Sequence, residues 1–182
     1  SESYLQSSPL DLAKKRIGWL LILMLSAAIS GAIISRYEDA LQSVVSLTVF
    51  IPMLMNTGGN AGSQSATLVI RSLALGETSP KDVFKVIWKE FGVSILVAIP
   101  LAIVNFLRIY YLQGYSMLLS ATVSFTLVVT VIFAKLIGGT LPLLADRMHI
   151  DPAIMASPLI TTIVDAITLM CYFRFAVWLL GV

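Results

Sequence analysis

The sequence predicts an all-α, polytopic membrane protein, and two observations lead to that class. Of the 182 residues, 58% are hydrophobic and only 12% are charged, and the mean hydropathy is +0.92. The apolar residues are concentrated in long runs, and a run of about 20 such residues can cross a hydrocarbon core of about 30 Å as an α-helix. This composition excludes a soluble globular domain. Since no basic patch is present, we expect no nucleic-acid partner and take the lipid bilayer as the surroundings of the chain.

Five runs are predicted to span the membrane. They extend over Ile17 to Ser35, about Ala40 to Ile70, Phe91 to Leu107, about Met117 to Leu144 and about Pro152 to Gly181. Residues 1–16 are predicted to form a cytoplasmic lead-in segment, and residues 17–182 form one five-helix transmembrane domain. The first run is too long and its leading segment too polar for a cleavable signal peptide.

The stretch before the third span permits two interpretations. From Lys81 to Glu90, charges alternate with apolar residues at helical spacing, which is typical of an amphipathic helix on the membrane surface. A helical extension of the third span fits the same pattern. Farther along, Pro100 predicts a kink because its ring removes one helical hydrogen bond.

Basic residues beside the spans predict the orientation of the chain. Eight lie on the side of the amino terminus, namely Lys14, Lys15, Arg16, Arg71, Lys81, Lys85, Lys89 and Arg147. The opposite side holds Arg36, Arg108 and Arg174. Because cytoplasmic loops carry the excess of Lys and Arg, we expect a plasma-membrane protein with a cytoplasmic amino terminus and an external carboxyl terminus.

The second span contains an unusual polar run, PMLMNTGGNAGSQSATLVIR, from Pro52 to Arg71. Its proline and glycines predict an interruption of the helix, and irregular backbone at membrane depth must be buried in protein or line water. Its uncharged polar side chains suit a hydrated ion, and the candidate pore-lining residues are Asn56, Asn60, Ser63, Gln64 and Thr67. The alternative is that these small and polar residues serve helix packing within the membrane.

The fifth span contains a carboxylate, Asp165, flanked by apolar residues. An ionisable group at this depth costs about 2.5–3.5 kcal/mol on insertion scales, so it needs a partner or water. Ser157 and Thr161 precede it at intervals of four residues, which places all three on one face of a helix. A structural alternative pairs Asp165 with Lys135 or Arg174 to hold the helix bundle together.

Two motifs carry a resemblance to a known family. The run T-G-G-N-x-G-x-Q-S-A-T in the second span and DPAIMASPLITTIVDAIT from Asp151 to Thr168 resemble the MgtE family of magnesium channels. The chain departs from the family at Ser63, where Asn is common, at Ser157, and at Ile167 with Thr168, which replace Thr-Gly.

The resemblance implies a homodimeric, magnesium-selective channel with five helices per subunit. Its pore would be lined by the second and fifth helices of both subunits, with Asp165 as the principal cation-binding residue and Thr161 beside it. The transported ion would be Mg²⁺, and Mn²⁺, Co²⁺ or Ca²⁺ could enter the same site. The acidic and CBS regulatory domains of the family are absent from this chain, so we expect feedback gating to be weakened or lost.

The chemistry of the ion agrees with this expectation. Mg²⁺ gives up its water shell reluctantly, so a pore can recognise the hydrated ion through outer-sphere hydrogen bonds. Two Asp165 carboxylates, one from each subunit, would supply a charge of −2 against the +2 ion.

Two other functions remain as alternatives. A proton- or sodium-coupled cation transporter could use the same carboxylate and an interrupted second span. An intramembrane aspartyl protease needs two neighbouring carboxylates, and one per chain makes an enzyme a poor match. Neither the single Cys171 nor His149 offers a metal cluster, and one cysteine allows no intrachain disulfide.

Overall fold

The computed structural model describes residues 3–155 and 157–182, without the side chains of residues 154, 155 and 157. All regular elements of the described residues are helical, which confirms the predicted all-α class. The α-helices are α1 (Pro9–Arg36), α2 (Glu38–Ser43), α3 (Ile51–Ala74), α4 (Val83–Leu107), α5 (Met117–Arg147) and α6 (Ser157–Leu180). The 3-10 turns are Val45–Phe50, Pro80–Asp82 and Pro152–Met155, and a π-helical turn, Arg108–Leu112, follows α4.

Four segments of the described chain are long and apolar enough to cross a membrane. They are Pro9–Arg36, Pro80–Leu112, Met117–Arg147 and Pro158–Leu180, and they correspond to the first, third, fourth and fifth predicted spans. The chain is therefore a multi-pass membrane protein. At 1.5 Å per residue α3 is about 36 Å long, which is enough to cross the bilayer, but its glycines and polar residues lower its hydropathy. The second predicted span, and with it the count of five spans, thus stays a prediction.

The predicted interruption within the second span is wrong. The helix α3 (Ile51–Ala74) is continuous and includes the whole glycine-containing segment. Pro52 lies in the first turn of α3, where a missing backbone N–H removes no internal hydrogen bond. The glycines are tolerated because each costs only about 1 kcal/mol relative to Ala, and close packing against other helices can offset that cost.

The irregular backbone lies immediately before α3 instead. Val44 leaves the helical conformation, with φ −133° and ψ 82°, and a 3-10 turn follows it. The buried Tyr172 hydroxyl of α6 donates a 2.7 Å hydrogen bond to the Leu47 carbonyl in this turn. This bond connects α6 to the turn that precedes α3.

The segment from Lys81 to Glu90 is a helical extension of the third span, because α4 begins at Val83 and continues to Leu107. The interpretation as a separate surface helix is wrong. At its start, the Ser79 backbone N–H donates a 3.0 Å hydrogen bond to the Asp82 carboxylate, which caps the first turn. The helix also continues through Pro100.

The helix α5 lies at the centre of the bundle and packs against α3, α4 and α6. Apolar side chains from these helices form the core, including Leu54, Val123, Leu127, Val131, Leu169 and Phe173. By contrast, α1 contains no buried residue and contacts the bundle mainly through α6. The arrangement places α3 and α6 side by side against α5.

Candidate functional site

A polar groove runs along the exposed face of α3. It has a volume of about 440 Å³ and is lined by Asn60, Ser63, Gln64, Thr67 and Leu68. These positions follow the i, i+3, i+4, i+7, i+8 spacing of one helical face, and Asn56 continues the face one turn earlier. The side chains offer hydroxyl and amide groups without charge, and we call this the polar face of α3.

The opposite face of α3 is packed against the bundle through its glycines. A Cβ atom on Gly58 would lie 2.7 Å from Thr130 Cγ2 and 2.8 Å from Val164 Cγ1. A Cβ atom on Gly62 would lie 2.7 Å from Ile160 Cγ2. These distances are shorter than van der Waals contact, so the glycines permit the close approach of α5 and α6. We call this the packed face of α3.

The crossing of α3 and α5 is closer still. A Cβ atom on Gly138 of α5 would collide with the carbonyl oxygen of Gly62. The two helices therefore touch through their backbones at this point. The small residues of the run serve packing on one face of α3, as the packing alternative stated, while the polar residues occupy the other face.

Asp165 lies on α6 and is partly exposed. Its Oδ1 atom is buried, and among the described residues no donor reaches it. Within the described chain the only salt bridge joins Lys85 and Asp82, so neither Lys135 nor Arg174 pairs with this carboxylate. The structure therefore does not support the interpretation of Asp165 as one half of an ion pair that holds the bundle together.

Thr161 lies one turn before Asp165, at the contact between α6 and α3. A Cβ atom on Gly59 would lie 3.3 Å from Thr161 Cγ2 and 3.4 Å from its Oγ1. Ser157 begins α6, but its side chain lies outside the described residues, so the predicted three-residue row is described only in part. The residues that line the groove do not include Asp165, and no hydrogen bond joins it to that face within the described chain.

A charged cluster missed by the sequence analysis lies between α3, α4 and α5. Lys135 is only 3% exposed, and its ammonium donates to Gln64 Oε1 at 3.1 Å and to Ser65 Oγ at 3.4 Å. The Ser65 hydroxyl donates in turn to Glu90 Oε2 at 2.7 Å. A lysine inside an apolar span requires such acceptors, and that requirement was the signal that could have directed attention to Glu90.

Among the described residues, no group of three or more His, Cys, Asp or Glu side chains could hold a metal ion. His149 is exposed at the end of α5, with a positive φ of 59°. The groups that the described helices could offer to a cation include the single Asp165 carboxylate and the neutral oxygens of the polar face. Such a donor set suits transient contact with a hydrated ion better than tight chelation.

Comparisons with known proteins identify the family of the chain. The sequence profile of the MgtE family, described as a divalent cation transporter, matches residues 51–175. The chain is 37% identical over 173 residues to the magnesium transporter MgtE of Thermus thermophilus, covering 95% of this chain and 38% of that protein. It is 37% identical over 164 residues to the MgtE of Bacillus subtilis, covering 90% and 36%.

A third relative, the magnesium transporter MgtE of Enterococcus faecalis, is 30% identical over 172 residues and covers 93% of this chain. The chain spans little more than a third of the length of these curated relatives. The profile match extends from the start of α3 into α6, so it includes the polar face, the packed face and Asp165. On this evidence the chain belongs to the MgtE family of divalent cation transporters.

Proposed function

We propose that the chain forms the pore of a magnesium channel, through which hydrated divalent cations cross the membrane. The observation that carries this proposal is the Asp165 carboxylate, which lies inside an apolar helix with a buried oxygen that no described donor reaches. A carboxylate in such surroundings is costly unless a partner compensates its charge. A divalent cation that passes through the pore would compensate the charge of this carboxylate, and divalent cations are what the family transports.

The polar face of α3 supports a pathway for a hydrated ion. The waters around Mg²⁺ direct their hydrogens outward, so they bind to oxygens that accept hydrogen bonds. Asn60, Ser63 and Thr67 provide such oxygens along the groove. Asp165 supplies the charge that concentrates a divalent ion, and the neutral oxygens supply the geometry.

The pore is proposed to form between two copies of the chain, with α3 and α6 of each copy lining it as the second and fifth of five spans. A single copy leaves the polar face open and contributes one carboxylate, whereas two copies enclose the path and supply a charge of −2. A two-fold axis brings the same surface patch of each subunit together. The amino terminus is proposed to lie in the cytoplasm and the carboxyl terminus outside.

Uptake into liposomes tests the channel function. The purified chain is reconstituted with a magnesium-sensitive dye inside, and a Mg²⁺ gradient alone is expected to drive rapid uptake. Uptake that requires a proton or sodium gradient would instead favour the coupled transporter. Uptake measured with Mn²⁺, Co²⁺ or Ca²⁺ in place of Mg²⁺, each with a dye that responds to that ion, gives the selectivity among these cations.

Cross-linking tests the dimer. A cysteine at Leu68, which is 61% exposed beside the groove, is expected to cross-link two copies in a Cys171→Ala background. Leu96→Cys, on α4 and 76% exposed, is the matched control and is expected to remain uncrosslinked. A conducting protein that stays monomeric in lipid would contradict the shared pore.

Tags at the two ends, labelled from outside the cell, test the orientation.

A further inference from the structure

The cluster of Lys135, Gln64, Ser65 and Glu90 has a defined order of donors and acceptors. An ammonium carries hydrogens and no lone pair, so Lys135 can only donate. It therefore requires the oxygen, and not the nitrogen, of the Gln64 amide, at 3.1 Å. The Ser65 hydroxyl accepts a hydrogen bond from Lys135 and donates its one hydrogen to Glu90. The hydrogen bonds therefore run in one direction, from the lysine to the glutamate.

The surroundings of Lys135 fix it in place. It is almost fully buried, and the two residues that follow it by one turn are glycines at close helix contacts. Gly138 meets the backbone of α3, while a Cβ on Gly139 would lie 2.9 Å from Glu90 Cγ. These contacts hold α3 and α4 against α5 around the buried lysine.

Gln64 connects this cluster to the groove. Its side chain is exposed and lines the groove, while its Oε1 atom is held by Lys135. The amide NH₂ is consequently the group left for the groove. An N–H donor repels the outward hydrogens of a hydrated cation, in contrast to the oxygens of the neighbouring side chains.

We infer that Lys135 is a positioning residue for the ion path, which turns the Gln64 amide so that its hydrogens face the groove, while Glu90, linked through Ser65, neutralises the lysine charge. This inference rests on the proposed function and adds a specific element to it. At the level of Gln64 the amide hydrogens offer no acceptor to the waters of the hydrated ion. The ion therefore binds weakly there and moves on. Conduction requires binding that is weak enough to release the ion.

The inference predicts opposite effects for the two charged residues. Lys135→Met releases the Gln64 oxygen and leaves Glu90 uncompensated, so both changes strengthen cation binding. The half-saturating Mg²⁺ concentration is expected to fall about tenfold, the size given by one unit charge about 12 Å from a divalent ion at an effective dielectric constant of about 40, between a protein surface and bulk water. The maximal uptake rate is expected to fall with it. Glu90→Gln leaves the lysine uncompensated, and the half-saturating concentration is expected to rise by a similar factor.

The experiment measures Mg²⁺ uptake by the reconstituted protein as a function of Mg²⁺ concentration. The double variant Lys135→Met/Glu90→Gln restores the charge balance but leaves the Gln64 oxygen released. Its half-saturating concentration is therefore expected to lie between those of Lys135→Met and the wild type, while Lys135→Arg, which keeps the charge and the donor, is expected to match the wild type. A double variant at the wild-type value would show an effect of charge alone and would overturn the positioning role. Thr140→Val is the matched control on α5, since its hydroxyl bonds only to its own helix. Should Lys135→Met fail to assemble, Glu90→Gln compared with the double variant gives the same test, because the second substitution is expected to reverse the first.

A purely structural role for the cluster would lower uptake in both single variants without opposite shifts in half-saturation. Shifts in the same direction, or none, would overturn the inference. The proposed function is judged separately through Asp165→Ala. Suppose that Asp165→Ala loses uptake while the half-saturating Mg²⁺ concentrations of the Lys135 and Glu90 variants change in the same direction. The channel assignment then stands, and only the positioning role fails.

Discussion

The two faces of α3 show how one sequence run serves two different purposes. The packed face presents Gly58, Gly62 and Ser65 to other helices, whereas the polar face presents larger amides and hydroxyls to a groove. Both faces are polar or small, and composition alone does not separate them. The helical period separates them, because residues three or four apart share a face. A substitution on the packed face should thus affect folding, and one on the polar face should affect ion passage.

The largest effect is expected for Gly138→Ala at the crossing of α3 and α5. The added Cβ would collide with the Gly62 carbonyl oxygen, and backbone cannot yield as a side-chain end can. Overpacking of this kind costs about 1–3 kcal/mol, and more where helices must separate. Thermal unfolding in detergent measures the loss.

Gly92→Ala is the matched control for that substitution. Nothing lies within 4 Å of a Cβ built on Gly92, which is within α4. Its stability is expected to be unchanged or to rise by up to about 1 kcal/mol, since Ala favours helix over Gly. Equal losses in the two variants would show that the close crossing does not stabilise the fold.

Ser65→Ala is expected to have the next largest effect, again on the packed face. Its hydroxyl is buried and links Lys135 to Glu90, so its removal leaves a charged donor and a charged acceptor with fewer partners. The expected loss of stability is about 1–3 kcal/mol. Thr67→Ala, on the other face of the same helix, is expected to unfold at the wild-type temperature. If Thr67→Ala is the less stable of the two, the assignment of faces is wrong.

Asp165 allows charge to be separated from shape. Asp165→Asn keeps the size and one oxygen but removes the charge, and Asp165→Ala removes both. The half-saturating Mg²⁺ concentration is expected to rise at least about tenfold in Asn and further in Ala, because one unit charge about 10 Å from a divalent ion contributes about 1.7 kcal/mol at an effective dielectric constant of about 40, between a protein surface and bulk water.

Thr162→Ala is the control on α6, since its hydroxyl bonds to the Pro158 carbonyl of its own helix. All three variants are expected to elute as folded protein. Normal Mg²⁺ uptake by a folded Asp165→Ala protein would remove the carboxylate from the ion path, and uptake lost only through unfolding would return it to a structural role.

The contrast between the faces also shows what the sequence could predict. The all-α membrane class followed from composition, and the polar run and Asp165 were found from residue types alone. The interruption of the second span was predicted wrongly because proline and glycine were read as breaks, whereas Pro52 begins α3 and the glycines form helix contacts. Those contacts join residues far apart in the chain, such as Gly62 and Gly138, and no local pattern specifies them.

The charged cluster was missed for the same reason. Lys135 was recognised as unusual, but the residues bonded to it directly or through Ser65 lie on two other helices, and Glu90 was placed at the end of a stretch that permitted two interpretations. Only the packing of α3 and α4 against α5 brings the four polar side chains within hydrogen-bond distance. A buried charge predicts that acceptors exist, while the fold decides which residues they are.

The smallest effect is expected for the hydroxyl of Thr67 on the polar face. The Thr67 side chain lines the groove, and its hydroxyl hydrogen is used in a 2.9 Å hydrogen bond to the Ser63 carbonyl, so Oγ1 can serve the groove only as an acceptor. Thr67→Val keeps the shape and removes the oxygen, whereas Thr67→Ser keeps the oxygen. One neutral hydrogen bond contributes about 0.5–1.5 kcal/mol, so the half-saturating Mg²⁺ concentration is expected to rise about two- to tenfold in Val. The Ser variant is expected to match the wild type, and both are expected to keep wild-type stability. A larger shift in Thr67→Val than in Asp165→Asn would contradict the view that charge supplies the affinity and neutral oxygens the geometry.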